Sequence, residues 1–88
     1  VIEFEQNGLP VRAQFSRFAD GALGEIFLDV GKVGSAAQVA ASDAAISASI
    51  ALQFGCDRET LHHALSKLSN GMCAGPLGAA FDLIGDAP

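Results

Sequence analysis

The chain has 88 residues, half of them hydrophobic, and a formal charge of −5 at neutral pH. That length fits one domain, with a core so small that only about 60% of the unfolded surface is buried, the situation in which association adds stability. The five Lys and Arg residues are scattered, which excludes the basic stripe of a nucleic-acid binder and argues against docking on an anionic membrane surface.

The first thirty residues predict a three-stranded antiparallel meander. Asn7-Gly8 is a strong hairpin signal, because both residues tolerate positive φ. A two-residue turn there pairs Phe4 with Val11 and Ile2 with Ala13 on one face, leaving Glu3 opposite Arg12 on the other. Asp20-Gly21 is a second such signal. A turn centred on it pairs Phe15 with Ile26, Ala13 with Leu28 and Val11 with Val30, with Asp29 opposite Arg12. Two independent turns thus agree on one apolar face, and a slip of one residue would invert it. Phe27 is the apolar exception on the outer face.

Ser35 to Phe54 predicts one helix of about twenty residues, roughly 30 Å long. Gly34 or Ser35 caps it, and Gly55 takes the C′ position. Gln38, Ser42, Ser49 and Gln53 form a single narrow polar stripe. So apolar a helix is expected either to be sandwiched between the sheet and later helices or to meet a copy of itself. Asp43, on the face shared with Val39 and Ile50, reads as structural, at such an interface or beside Lys32 or an arginine. Six polar interruptions also keep this helix from reading as a membrane span.

Asp57 caps a second helix, striped by Leu61, Ala64, Leu65 and Leu68 and expected to stop at Asn70-Gly71. Gly75-Pro76 opens a third, with proline in its favoured first turn; Leu77, Ala80, Phe81 and Ile84 form its stripe and Gly85 closes it. The predicted fold class is α+β: a three-stranded antiparallel meander followed by three helices packed on one face, βββααα, with residues 1–88 as a single domain. The opening Val1–Glu5 has no basic region ahead of an apolar one and does not read as a signal peptide, so a cytoplasmic location with reduced Cys56 and Cys73 is the expectation.

Three constellations carry candidate chemistry. Gly31-Lys32-Val33-Gly34-Ser35 feeds a helix N-terminus, where unpaired N–H groups and a partial positive charge suit a phosphate. It is no P-loop, since Val33 follows Lys32 where Ser or Thr is required and no glycine stands five residues before Gly31. Lys32, Gly34 and Ser35 are the candidates for a weaker anion site. Cys56, His62, His63 and Cys73 lack the tight pairs of a zinc finger, and adjacent histidines on a helix diverge by about 100°; no metal or other cofactor is expected. Cys73 with His62 or His63 and Asp82 would supply the residue types of nucleophilic catalysis, but nothing in their spacing pairs them, and self-contained catalysis is not expected.

The segments Gly24-Glu-Ile-Phe-Leu28, Lys32-Val-Gly-Ser35, Asp43-Ala-Ala-Ile-Ser47 and Ala51-Leu-Gln-Phe-Gly55 resemble, in order and spacing, a region near the C-terminus of adenosylcobalamin-dependent ribonucleotide reductases. Gly71-Met-Cys-Ala-Gly-Pro-Leu-Gly-Ala-Ala-Phe-Asp82 resembles a degenerate form of the motif that names the TSCPD domain, with Cys73 and Pro76 as its remnant. The resemblance spans about residues 1 to 84. It implies a stand-alone accessory relative, not a reductase: 88 residues hold no radical barrel, and there is no Cys-x-x-Cys reducing tail. Such a domain is expected to be homodimeric and to bind a nucleotide or a protein partner. The other readings are a purely structural interaction module and a cysteine-based redox or metal module.

Overall fold

A computed structural model describes residues 1–84 and orders them as β1 (Ile2–Gln6), β2 (Leu9–Arg17), β3 (Leu23–Val30), α1 (Ala36–Gln53), α2 (Arg58–Ala64) and α3 (Pro76–Ile84). The strands form one antiparallel sheet in the order β1-β2-β3, which is the predicted α+β arrangement. Gly85, expected to close the third helix, lies outside the described residues.

Asn7 at φ 53° and Gly8 at φ 78° form the first turn, with the signs a type I′ hairpin demands. Ile2 then faces Ala13, Glu3 faces Arg12 and Phe4 faces Val11. The second hairpin reaches its predicted pairs by a different path. Phe18 N–H donates to Ala22 O at 2.7 Å and Gly21 N–H to Phe18 O at 2.9 Å, so the loop encloses Ala19, Asp20 and Gly21 and not two residues. The ladder starts one residue out, with Arg17 opposite Leu23, and a bulge beside Ser16 and Arg17 restores it. Gly24 is the residue absorbed, and a Cβ there would lie 3.0 Å from the Phe18 ring. Beyond the bulge, Phe15 faces Ile26, Ala13 faces Leu28, Arg12 faces Asp29 and Val11 faces Val30.

The Ser35 hydroxyl caps α1 by accepting from Gln38 N–H at 3.2 Å, and the Gln38 side chain reaches back to accept from Gly34 N–H at 3.3 Å. This is a capping box shifted outward by one residue. Ala41, Ala45, Ala48 and Leu52 are buried along one helix stripe and join Val11, Ala13, Ile26, Leu28 and Val30 in the core. The expected polar stripe does not face solvent as a unit. Ser49 is 5% exposed; its Oγ donates to Ile26 O at 2.8 Å and accepts from Ile26 N–H at 2.9 Å. Solvent instead meets Val39, Ile46 and Ile50, each about half exposed, and Phe54, with Asp43 exposed among them. α2 and α3 therefore leave this face of α1 uncovered at Val39, Ile46, Ile50 and Phe54.

The second helix is shorter than its stripe suggests. It ends at Ala64, and Leu65 is already extended at ψ 153°. Lys67 folds back so that Nζ donates to the carbonyls of His62, His63 and Leu65 at 3.1, 3.3 and 2.7 Å. Of these, His62 O also accepts from Leu65 N–H at 3.3 Å, whereas His63 O is one of the carbonyls a helix end leaves orphaned, and a cation there also complements the helix dipole. The chain then turns through a tight hairpin: Leu68 N–H donates to Met72 O at 2.7 Å, Ala74 N–H to Ser66 O at 2.9 Å, and Gly71 holds φ 88°. Asn70-Gly71 is therefore a hairpin turn and not a helix stop, and Leu68 is half exposed.

α3 opens at Pro76 as expected and buries Leu77, Ala80, Phe81 and Ile84. α2 has no fully buried residue; Arg58 Nη2 ties it to α3 by donating to Phe81 O at 2.7 Å. No helix among the described residues is long and apolar enough to cross a membrane.

Candidate functional site

Two depressions gather the residues that the sequence singled out. The first lies between α2, the Leu68–Met72 hairpin and α3. The hairpin pairs Cys73 with Lys67 and so carries the Cys73 thiol under α2. His62 Nε2 stands 3.6 Å from Cys73 Sγ and 2.7 Å from Asp82 Oδ1. Glu59, His63, Lys67 and Gly71 complete the walls of a cleft of about 240 Å³. The His62 ring packs against Phe81 with centroids 5.5 Å apart, which fixes the imidazole from behind.

Burial pushes the Cys73 thiol above its ordinary value, and the hydrogen bond and negative charge of Asp82 push the same way against a weaker influence from Lys67. A neutral thiol at physiological pH is a poor nucleophile. The geometry also departs from a catalytic relay, in which the acid binds one imidazole nitrogen and the nucleophile the other. Here thiol and carboxylate both meet Nε2. Three different donor atoms converge on one point instead of passing a proton along a line.

Of the four residues considered as a metal set, the structure brings only His62 and Cys73 together. His63 lines the same cleft without joining the cluster. Cys56 is a half-buried free thiol whose Sγ contacts Asp57 O at 3.6 Å.

The second depression runs along α1. A largely apolar cavity of about 420 Å³ is lined by Val30, Ala40, Ala41, Ala44, Leu65 and Pro76, among others. A second of about 500 Å³ is bounded by Pro10, Gly31, Lys32 and Ser35. The two share Leu9 and Ala37 and so adjoin along α1, Lys32 and Ser35 lining the one and Pro76 the other. Gly34 does not line it. The polar groups of this turn are also partly engaged: Gly34 N–H is held by Gln38, and the Ser35 hydroxyl donates to Lys32 O at 2.7 Å while capping α1. Lys32 Nζ has no hydrogen-bond or ion-pair partner among the described residues, and of the three anion candidates it is the one with its charge available.

Gly78 lines the apolar cavity and lies against Cys73 of the cleft. A Cβ on it would stand 2.7 Å from Cys73 Cβ and 2.8 Å from Sγ. Gly→Ala inside a helix ordinarily gains up to about 1 kcal/mol, whereas forcing a methyl into a packed contact costs about 1–3 kcal/mol. The clash wins because Cβ, unlike a side-chain tip, cannot swing away. Gly78→Ala is expected to lower stability by about 1–2 kcal/mol in urea denaturation, and Gly75→Ala, with nothing within 4 Å, to change it little. A stabilised Gly78→Ala would show that Cys73 is free to move.

No protein-family model, no curated protein and no solved structure matches this chain.

Proposed function

We propose that this chain is a small accessory domain, not catalytic by itself, that holds a phosphate-bearing molecule with an apolar or planar body, of the nucleotide class, in the groove along α1. The observation that supports this reading is the adjoining of an apolar cavity of about 420 Å³ to a Lys32-edged one through Leu9 and Ala37. The volume falls in the range of about 300–1,000 Å³ common to small-molecule pockets, which pair apolar walls with a few polar groups. The resemblance to the TSCPD domain of ribonucleotide reductases points to the same ligand class.

A thermal-shift series with nucleoside di- and triphosphates, with and without Mg²⁺, tests it. At a hundredfold excess over Kd the complex gains about 2.7 kcal/mol, a rise on the order of 10 °C for a domain of this size. Lys32→Ala is expected to abolish most of the rise and leave the melting temperature of the free protein unchanged, because Lys32 is exposed. No shift with any nucleotide, or an undiminished shift in Lys32→Ala, overturns the proposal. A second reading rests on the exposed stripe of Val39, Ile46, Ile50 and Phe54: a homodimeric adaptor joined through α1, whose flanking alanines let two helices approach closely. The solution mass, measured on the same samples, decides it. A dimer that ignores the nucleotide panel favours the adaptor, and a monomer removes it.

A further inference from the structure

We infer that His62, Cys73 and Asp82 form a binding site for a single divalent transition-metal ion of the zinc class, with a fourth position open to the cleft. One ligand atom from each residue lies within 4.8 Å of the others. Tetrahedral zinc, with Zn–S of about 2.3 Å and Zn–N of about 2.0 Å, sets an S···N edge of about 3.5 Å. The Cys73 Sγ to His62 Nε2 separation is 3.6 Å, so these two donors already stand at the spacing an ion needs. The N···O edge of the same tetrahedron is about 3.3 Å. Asp82 Oδ1 is at 2.7 Å from Nε2 and must swing outward by about 0.6 Å. Its side chain is 53% exposed, against 24% for His62, so the carboxylate is the ligand with room to move.

Donor chemistry favours zinc or cobalt over magnesium or calcium. One thiolate and one imidazole are ligands that hard, oxygen-seeking cations avoid. A thiolate and a carboxylate together carry two negative charges, which a divalent ion neutralises. The proton balance, taken from a neutral imidazole protonated on Nε2, is simple: Cys73 loses its S–H proton to solvent, and the imidazole proton moves to Nδ1 to free the Nε2 lone pair. One proton leaves per ion bound.

The surroundings suit the fourth position. Glu59 precedes His62 by one turn of α2 and lines the cleft. Lys67, the cation in the walls, is turned away, its Nζ held by the carbonyls of His62, His63 and Leu65. Three protein ligands with one open position are the pattern in which zinc holds a water or an exogenous ligand. The site uses neither the α1 groove nor Lys32, so its test is independent of nucleotide binding.

The experiment is a Co²⁺ titration of the full, chelator-treated chain followed by absorption spectroscopy, then displacement by Zn²⁺. The expected result is an intense thiolate-to-cobalt band in the near ultraviolet with tetrahedral visible bands, saturating at one ion per chain. Cys73→Ser is expected to remove the thiolate band, and Cys56→Ser to keep it. Asp82→Asn alters an exposed position and leaves the fold intact by circular dichroism; it is expected to weaken binding about tenfold or more. Absence of the band in the unmodified chain, its loss in Cys56→Ser, or unchanged affinity in both Asp82→Asn and His62→Gln overturns the assignment.

Discussion

Phe81→Ala is expected to cost about 3–5 kcal/mol, the range for emptying a fully buried aromatic position. A domain of 88 residues has a total stability of roughly 4–13 kcal/mol, so this one change removes much of it. The ring is 0% exposed and is the largest side chain so completely buried. It also serves α2, which buries no residue fully and leans on α3 through His62 against the Phe81 ring and Arg58 above it, 5.9 Å from the centroid. The expected pattern in hydrogen exchange is therefore uneven: α2 amides lose protection first, and the β2–β3 pairs retain theirs longest. Leu83→Ala, at a half-exposed position on the same helix, is the matched control and should cost well under 1 kcal/mol. A loss below about 1 kcal/mol for Phe81→Ala would mean that the core closes around the space, and that α2 is held by something else.

Ser49→Ala is expected to cost on the order of 2–4 kcal/mol, although it deletes a single oxygen. That oxygen satisfies two backbone groups of Ile26, one as acceptor at 2.9 Å and one as donor at 2.8 Å. Ile26 is 0% exposed, so water does not replace it, and each orphaned buried group costs about 1–3 kcal/mol. Helix propensity acts the other way, since alanine is the better helix former, but by only a few tenths of a kcal/mol. Ser47→Ala, two residues earlier and exposed, shows that gain without the loss. A shift in urea midpoint with an unchanged slope marks the effect as one on stability. Equal behaviour of the two variants would sink the role assigned to Ser49.

What was legible in the sequence was local. Asn7-Gly8 sets its turn by itself, and the pairs that follow need only the period of two. Asp20-Gly21 was legible as a turn but not in its length: the three-residue loop and the bulge at Gly24 cancel, so the register beyond them is right for a reason the pattern does not contain. Asn70-Gly71 makes the same kind of loop as Asp20-Gly21. In both, the Asx side chain accepts from the N–H two residues on, at 2.9 Å in Ala22 and 3.0 Å in Met72. It was mistaken for a helix stop because Leu68 continues the stripe of Leu61 and Leu65, and periodicity does not register that Lys67 has already closed the helix.

The candidate site was less legible because its geometry is tertiary. His62, Cys73 and Asp82 stand on a short helix, a hairpin and a third helix, so no fixed ligand spacing links them. The residue types were in view, and the hairpin that brings Cys73 under His62 was not. The depression along α1 was half visible: Lys32, Gly34 and Ser35 were named as anion candidates, but the apolar cavity that adjoins Lys32 and Ser35 depends on Leu9, Leu65 and Pro76 coming from distant parts of the chain to α1. Ser49 was grouped in sequence with Gln38, Ser42 and Gln53 as one polar stripe, and its separate role was not legible because a hydroxyl on a helix looks the same whether it faces water or a strand.

The contact between Ser49 and Ile26 also governs how copies of this chain can meet. β3 lies at the margin of the sheet, and such a margin offers its free N–H and C=O groups as a template for a strand from another molecule. At Ile26 both groups are occupied by the hydroxyl, and α1 lies over them. At that position a strand from another molecule would find neither a free donor nor a free acceptor on β3, so the hydroxyl that ties helix to sheet also interrupts the template that the margin would otherwise offer.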